Sequence, residues 1–406
     1  MSRRETGEWL AVTAGFLALA VLCILLTGQS LIGSDQAYNS YSLQAQSWLD
    51  GRLDLKDGAR YPWLELAIRD GKYYVSFPPF PSILLLPLVL IFGVNTPDTL
   101  VALASAALAC FHAVRLAQLM LPEKRRVLFW TLALLVCNGY LFLCQNGWVW
   151  FIAQNLCFTL SLASLHHAAK GRGGWCLTCW AMAVGCRPMA AVFGPFLLWH
   201  LWKGLREKHP EERPGPLLRR HLRWAIGPVY FALIYMALNL ARFGNPLEFG
   251  HNYLPEFEQY GAQFSPAYIV PNLVTLLRPP ALENGMLTFQ TVEGGSCWLL
   301  NPFLLLGTAA WLCGCRQDRG GASLWLLPLS CLCYLLMLLL HRTLGGWQFG
   351  NRYLVDLMPW IFFGILLHHP RGEKGGFRLA AAAAPYCLLA GALQIFGAIA
   401  AYRYWF

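Results

Sequence analysis

Pro78-Pro79-Phe80-Pro81-Ser82-Ile83-Leu84-Leu85-Leu86-Pro87-Leu88-Val89-Leu90-Ile91-Phe92-Gly93 is apolar enough to enter a membrane, yet too short and too rich in proline to cross it as an ordinary helix. The reading of this segment sets the side on which everything after it lies. Counted as a span, it puts Lys124 to Arg126 and the basic Lys203 to Arg223 segment outside the cell. Read as a re-entrant or interfacial helix, it leaves both inside, where Lys and Arg accumulate. The second reading is adopted.

Outward from this segment the chain is 57% hydrophobic and only 13% charged over 406 residues, more apolar surface than one soluble core could hide. The expected class is an all-α, polytopic integral membrane protein. Spans are expected near residues 9–31, 97–120, 127–144, 150–168, 174–186, 189–203, 223–241, 297–314, 323–341, 353–368 and 378–400, about eleven in all. The run from Trp9 to Gly33 is too long for a secretory leader and lacks a small-x-small cleavage site, so it reads as a retained first helix. With the amino terminus in the cytoplasm, nineteen basic residues fall in inside loops and eleven in outside ones. The net charge of +10 is therefore topological, and it implies no nucleic-acid partner. Residues 1–406 read as one membrane domain with two long extracytoplasmic loops, 33–96 and 242–296. The fourteen cysteines lie mostly within spans and suit small buried apolar side chains. Cys176-x-x-Cys179 has metal-like spacing but no second ligand pair nearby.

The first loop opens with Ser34-Asp35-Gln36-Ala37-Tyr38-Asn39, an N-cap candidate followed by an acid in the first turn. Ala37, Tyr41, Ala45, Trp48 and Leu49 share a helical face, so this helix is expected to lie on the membrane surface, aromatic side down, with Asp35 pointing toward the mouth of the bundle. Leu64 to Ile68 and Tyr73 to Ser76 flank Arg69-Asp70-Gly71-Lys72, whose Asp-Gly pair suits a tight hairpin. Asp35 is the catalytic candidate, because an ionisable residue at the membrane boundary is functional by default. A plain helix cap is the competing role.

Three arginines sit at outer mouths against the statistical bias: Arg187 in Cys186-Arg187-Pro188, Arg242 at the end of a span, and Arg352, followed by Tyr353, in Phe349-Gly350-Asn351-Arg352-Tyr353. Together they could hold a phosphate by forked hydrogen bonds. Against this, Arg187 and Arg242 could merely snorkel to water, and Arg352 could neutralise Asp356 four residues on. Tyr38, Asn39, Glu248 and His251 are candidates for the acceptor side; for Glu248 and His251 the competing role is a solvated loop residue, which is favoured over a His/Glu metal site. No metal site is assigned, and a divalent cation is left open.

The order of these parts resembles the GT-C superfamily of membrane glycosyltransferases, in particular bacterial relatives of the protein O-mannosyltransferases and of the lipid A aminoarabinose transferase. The matching parts are Asp35 after the first span, the surface helix, the Pro78-Pro79 turn, the Arg187-Pro188 turn between short spans, and the Arg352-Tyr353 pair opening a late one. The Arg-Phe-Gly-Asn-Pro block at 242 to 246 is also similar to one in bacterial members. The resemblance implies a GT-C-like bundle in the cell membrane. It further implies transfer of a sugar from a polyprenyl-phosphate carrier to a glycan, lipid or protein acceptor on the extracytoplasmic side, with inversion. Asp35 would take the acceptor's proton, and Arg187, Arg242, Arg352 and Tyr353 would meet the carrier phosphate. Many relatives carry a second acid beside the first, where this chain has Gln36, which weighs against a paired-carboxylate mechanism. The chain ends at Tyr402-Arg403-Tyr404-Trp405-Phe406, without the soluble domain of larger members, so the two outer loops or a partner are expected to recognise the acceptor. The alternatives are a transporter or flippase of an anionic lipid-linked substrate, whose usual internal repeat is not found here, and a non-catalytic lipid-binding scaffold.

Overall fold

The computed structural model describes residues 3–32, 37–283, 285–290, 292–317, 321–369 and 373–405. The first helix, α1 (Arg3–Leu26), is followed by α2 (Ser40–Leu49), the hairpin β1 (Leu66–Arg69) and β2 (Lys72–Val75), and α3 (Phe80–Phe92). Next come α4 (Asp98–Met120), α5 (Lys124–Val136), α6 (Tyr140–Leu143), α7 (Val149–Ala169), α8 (Gly173–Val184), α9 (Gly194–Lys208), α10 (Pro214–His221) and α11 (Ile226–Phe243). The second long loop carries α12 (Ile269–Leu277) and a small hairpin, β3 (Ala281–Glu283) and β4 (Met286–Thr288). The chain continues through α13 (Cys297–Leu300), α14 (Phe303–Arg316), α15 (Ser323–Leu340), α16 (Met358–His368) and α17 (Glu373–Ala400).

Among the described residues five helical segments are long and apolar enough to cross a membrane, with shorter apolar helices between them. The expected number of eleven full spans is not reproduced. Two expected spans are broken. Residues 127–144 divide into α5 and α6, where the Asn138 side chain accepts a hydrogen bond from the Tyr140 backbone, and residues 297–314 divide into α13 and α14 at Asn301-Pro302.

The centre of the bundle is α7, which has the lowest hydropathy of the five long segments yet has 94% of the residues in its most apolar stretch buried, against 17% for the segment containing α11. Its polar side chains are satisfied within the protein. Asn155 donates to Ala102 O (2.9 Å), Thr159 meets Ser105 (2.9 Å), and Ser164 donates to Cys176 O (2.9 Å). Inside a membrane such pairs stand in for water and hold helices together. The lipid-facing helices are apolar all along their exposed sides, as Ile226, Val229, Tyr230 and Leu233 of α11 show.

Both ends of α3 lie at one end of this bundle. Its first residue donates from Phe80 N to Gly185 O (3.0 Å) at the end of α8, and Val94 O beyond its last turn accepts from Asn39 Nδ2 (3.0 Å) just before α2. Gly185 permits that docking, since a Cβ there would collide with the Tyr235 hydroxyl. The Asp-Gly turn forms as read, with Asp70 (φ 52°) and Gly71 (φ 69°) both left-handed and Arg69 paired to Lys72.

The placement of α2 differs from the surface helix expected from sequence. It starts at Ser40, and Ser42, Gln44 and Ser47 are buried together with Tyr41 and Ala45. α3 packs against this helix, and Ser82 Oγ donates to Gln44 Oε1 (2.8 Å) and lies 3.0 Å from Tyr41 O. Ser34, Asp35 and Gln36 lie outside the described residues.

Candidate functional site

A cavity of about 390 Å³ opens at the end of the bundle that holds α2, the first hairpin and the starts of α3 and α7. Its walls include Tyr41, Glu65, Trp150, Arg187, His251, His341, Arg352 and Tyr353. The residues come from both long loops, the turn after α8 and the segment before α16, so only the folded bundle assembles them.

Two guanidinium groups lie against the Tyr353 ring. The Cζ of Arg187 lies 4.5 Å from its centroid and that of Arg352 lies 4.8 Å away. The aromatic ring attracts each cation and fixes its plane. Arg187 Nε donates to Asp356 Oδ2 (3.0 Å), which also accepts from the Tyr334 hydroxyl (2.8 Å). Arg352 Nε donates to Gly346 O (3.2 Å) and its Nη1 to Gln154 Oε1 (3.0 Å), while Gln154 Nε2 donates back to Arg352 O (3.0 Å). Among the described residues this leaves both Nη groups of Arg187 and Nη2 of Arg352 without a protein acceptor. The ion pair of Arg352 with Asp356, read as an alternative from their spacing, does not form. The Arg352–Leu357 segment is a 3₁₀ helix, which does not bring positions four apart together as an α-helix does, and Asp356 serves Arg187.

The loop before Arg352 depends on Gly345, which has φ +89° and whose Cβ, if present, would lie 3.1 Å from both Arg352 Nη2 and the Tyr353 ring. A side chain there would be strained and would also push against both groups.

Arg242 does not line the cavity. It is 2% exposed and spends its donors on the fold: Nη1 on Val75 O (3.1 Å), Nη2 on Asn239 Oδ1 (2.9 Å) and Nε on Leu238 O (3.3 Å). It fastens the end of α11 to the first hairpin, and the three arginines grouped by sequence divide into two at the cavity and one in the frame.

The other sequence candidates divide in the same way. Asn39 is buried and bound to Val94 O (3.0 Å), and Tyr38 packs between Trp148 and Trp150 at 4.9 and 5.0 Å. Glu248 lines the cavity but turns on its own loop, accepting from Gly250 N and Asn252 Nδ2 at 2.7 Å each. His251 also lines the cavity, and its Nδ1 faces Arg342 Nη2 at 2.7 Å. Since Arg342 can only donate, His251 Nδ1 is the acceptor and Nε2 carries the proton. Burial, with His341 and Arg342 adding to it, lowers the His251 pKa to about 3 and keeps the ring neutral.

Two groups in the wall carry signals that the sequence reading passed over. Glu65 is a lone acid in the apolar run Leu64-Glu65-Leu66-Ala67, where Leu64 and Leu66 bury on one face and Glu65 turns to the other. Its Oε2 accepts from Trp150 Nε1 (2.9 Å), and burial raises its carboxyl pKa above the ordinary range, opposed by that hydrogen bond. Tyr41 is 2% exposed, and its hydroxyl has no hydrogen-bond partner among the described residues. No cluster of three or more His, Cys, Asp or Glu side chains among the described residues is arranged to hold a metal ion.

No protein-family model matches the chain, and no curated protein sequence is significantly similar to it. Solved structures are similar in fold. ArnT from Cupriavidus metallidurans, bound to undecaprenyl phosphate, superposes with a TM-score of 0.53 at 13% identity, over 96% of this chain and 76% of ArnT. The oligosaccharyltransferase of Archaeoglobus fulgidus, in the apo form, superposes with a TM-score of 0.51 at 12% identity, over 96% of this chain and 56% of its own length. The chain is a multi-pass membrane protein that shares the overall fold of these two structures.

Proposed function

We propose that the chain is an inverting glycosyltransferase, moving a sugar from a polyprenyl-phosphate carrier to an acceptor on the extracytoplasmic face. One observation carries this reading: Arg187 and Arg352 both lie against the Tyr353 ring at a cavity wall, with guanidinium nitrogens still open to an anion. Guanidinium forks suit phosphate oxygens, and they supply fixed positive charge where a leaving phosphate gains a negative one. That the ArnT neighbour was solved with undecaprenyl phosphate supports a carrier of this class. The excess of basic residues at the opposite end of the bundle supports the cavity's placement outside.

In this reaction an acceptor hydroxyl attacks the anomeric carbon from the face opposite the phosphate. The new C–O bond forms as the bond from the anomeric carbon to the phosphate oxygen breaks, and its electron pair leaves with the phosphate toward Arg187 and Arg352. The hydroxyl proton passes to a carboxylate, the role we assign to Asp35. Glu65, oriented by Trp150, offers its second oxygen to sugar or acceptor hydroxyls, and the neutral His251 offers Nε2–H.

The test is transfer of labelled sugar from a panel of short-chain polyprenyl-phosphate sugars to envelope extracts by the purified protein in nanodiscs. Product that requires both Arg187 and Arg352 supports the reading. Donor passage across the bilayer without a new glycosidic bond would favour a flippase.

A further inference from the structure

At the other end of the bundle lies a second cavity, of about 350 Å³, between the end of α7, α9 and the turn after α10. The 21 residues of α7 separate it from the first cavity by about 30 Å, so the two face opposite membrane surfaces. Its walls include Trp199, Lys203, Gly204, Glu207, Lys208 and Trp224.

We propose that this cavity binds the phosphate headgroup of an anionic phospholipid in the leaflet opposite the candidate active site. Lys203 Nζ sits 5.5 Å over the Trp199 ring and 3.7 Å from Glu207 Oε1. Lys208 Nζ lies over the backbone of Gly171, where a Cβ would come within 2.9 Å of it, and among the described residues it has no carboxylate within ion-pair distance. The neighbouring Lys170 and Arg172 are also without one among the described residues. Residues 203 to 223 hold seven basic side chains against three acidic ones. Of those acids, Glu207 serves Lys203, and Glu212 is taken by Arg220 (3.1 Å) and faces His209 (2.9 Å). A net positive field therefore remains at the opening.

The setting selects a lipid over a soluble anion. Tryptophan indoles on two walls mark headgroup depth, and basic pockets between membrane helices are known recognition sites for anionic headgroups. The short α10 buries Leu217 and exposes Leu218 beside Arg219 and Arg220, as a helix lying in the interface does. Below Trp224 the outer face of α11 exposes Ile226, Val229 and Leu233 at 69%, 53% and 62%, a continuous apolar path for acyl chains leaving the cavity.

The experiment is native mass spectrometry of the purified full chain titrated with phosphatidylglycerol or phosphatidylcholine. Wild type is expected to retain one phosphatidylglycerol at a concentration roughly tenfold lower than it needs for phosphatidylcholine, given the typical contribution of a surface lysine. The double variant Lys203→Gln/Lys208→Gln is expected to lose that preference. So is Gly204→Leu, which fills the cavity and keeps its charges, as Gly204 has open space at its Cβ position. Lys72→Gln, at the tip of the first hairpin on the other side, is expected to change nothing. The proposal is overturned if the lysine variant keeps the preference, if Gly204→Leu binds as wild type does, or if Lys72→Gln loses as much. It is also overturned if millimolar glycerol phosphate alone displaces the bound lipid, which would mark a site for a soluble anion.

Discussion

At the cavity end, Arg187 and Arg352 are each held by named groups, Asp356 for one and Gln154 with Gly346 O for the other, and both lie against one tyrosine ring. At the opposite end, Lys170, Arg172 and Lys208 stand at the surface with no carboxylate in reach among the described residues, in a segment where basic residues outnumber acidic ones. The first arrangement uses geometry to aim a few charges at one point. The second uses number to hold a membrane surface. Counting basic residues finds the second and misses the first, because a buried arginine is informative through what it fails to bond.

The sharpest way to break the comparison is to remove the proposed base. Asp35→Asn is expected to lower turnover by about 10²- to 10⁴-fold while leaving donor binding and thermal stability unchanged. Full activity in that variant would remove Asp35 from the reaction.

The next largest effect separates arginines of the same sequence type. Arg352→Ala is expected to weaken donor binding about 10- to 100-fold, the value of a charge-assisted hydrogen bond, as read by lipid-donor titration. Arg242→Ala is expected to act on stability instead. It leaves Val75 O and Asn239 Oδ1 without their donor, at a cost of about 1–3 kcal/mol, so the melting temperature falls while activity per folded molecule stays as it was. Equal losses of donor binding in the two variants would erase the division between them.

The smallest effect is a pH dependence. Because burial raises the Glu65 carboxyl, the folded state penalises its charged form. The associated stability is fully present below the unfolded carboxyl pKa and is lost as pH rises through the folded one. Glu65→Gln keeps an acceptor for Trp150 and is expected to melt at a slightly higher temperature than wild type near neutral pH, with the difference closing as the pH falls below the ordinary carboxylate range. A difference that instead grew on acidification would show Glu65 to be stabilised as an anion.

The legible parts of the fold were those written in local chemistry. Asp70-Gly71 can hardly avoid a left-handed turn, and the long apolar runs of α1, α4 and α11 have few structures open to them. The misread parts depended on neighbours distant in sequence. The surface placement of α2 failed because nothing near Ser42, Gln44 and Ser47 in sequence announces that α3 will pack against the helix and that Ser82 will meet Gln44. Arg242 and Arg187 look alike in sequence, and only the arrival of the Val75 carbonyl in one case and of the Asp356 carboxylate in the other distinguishes them. Glu65 was within reach, since an acid between two buried leucines has to face something. Tyr41 was legible as an apolar anchor but not as an unbonded hydroxyl, which appears only once its surroundings are assembled.

The central claim is that the Arg187–Tyr353–Arg352 clamp receives the phosphate of a lipid-linked sugar. A cryo-EM map of the protein in nanodiscs with a short-chain polyprenyl-phosphate sugar tests it most directly. The expected result is phosphate density within hydrogen-bond reach of the open guanidinium nitrogens of Arg187 and Arg352 at the cavity wall, with the sugar in the cavity toward Glu65. Density that bypasses the clamp and runs through the bundle toward the opposite surface would contradict it.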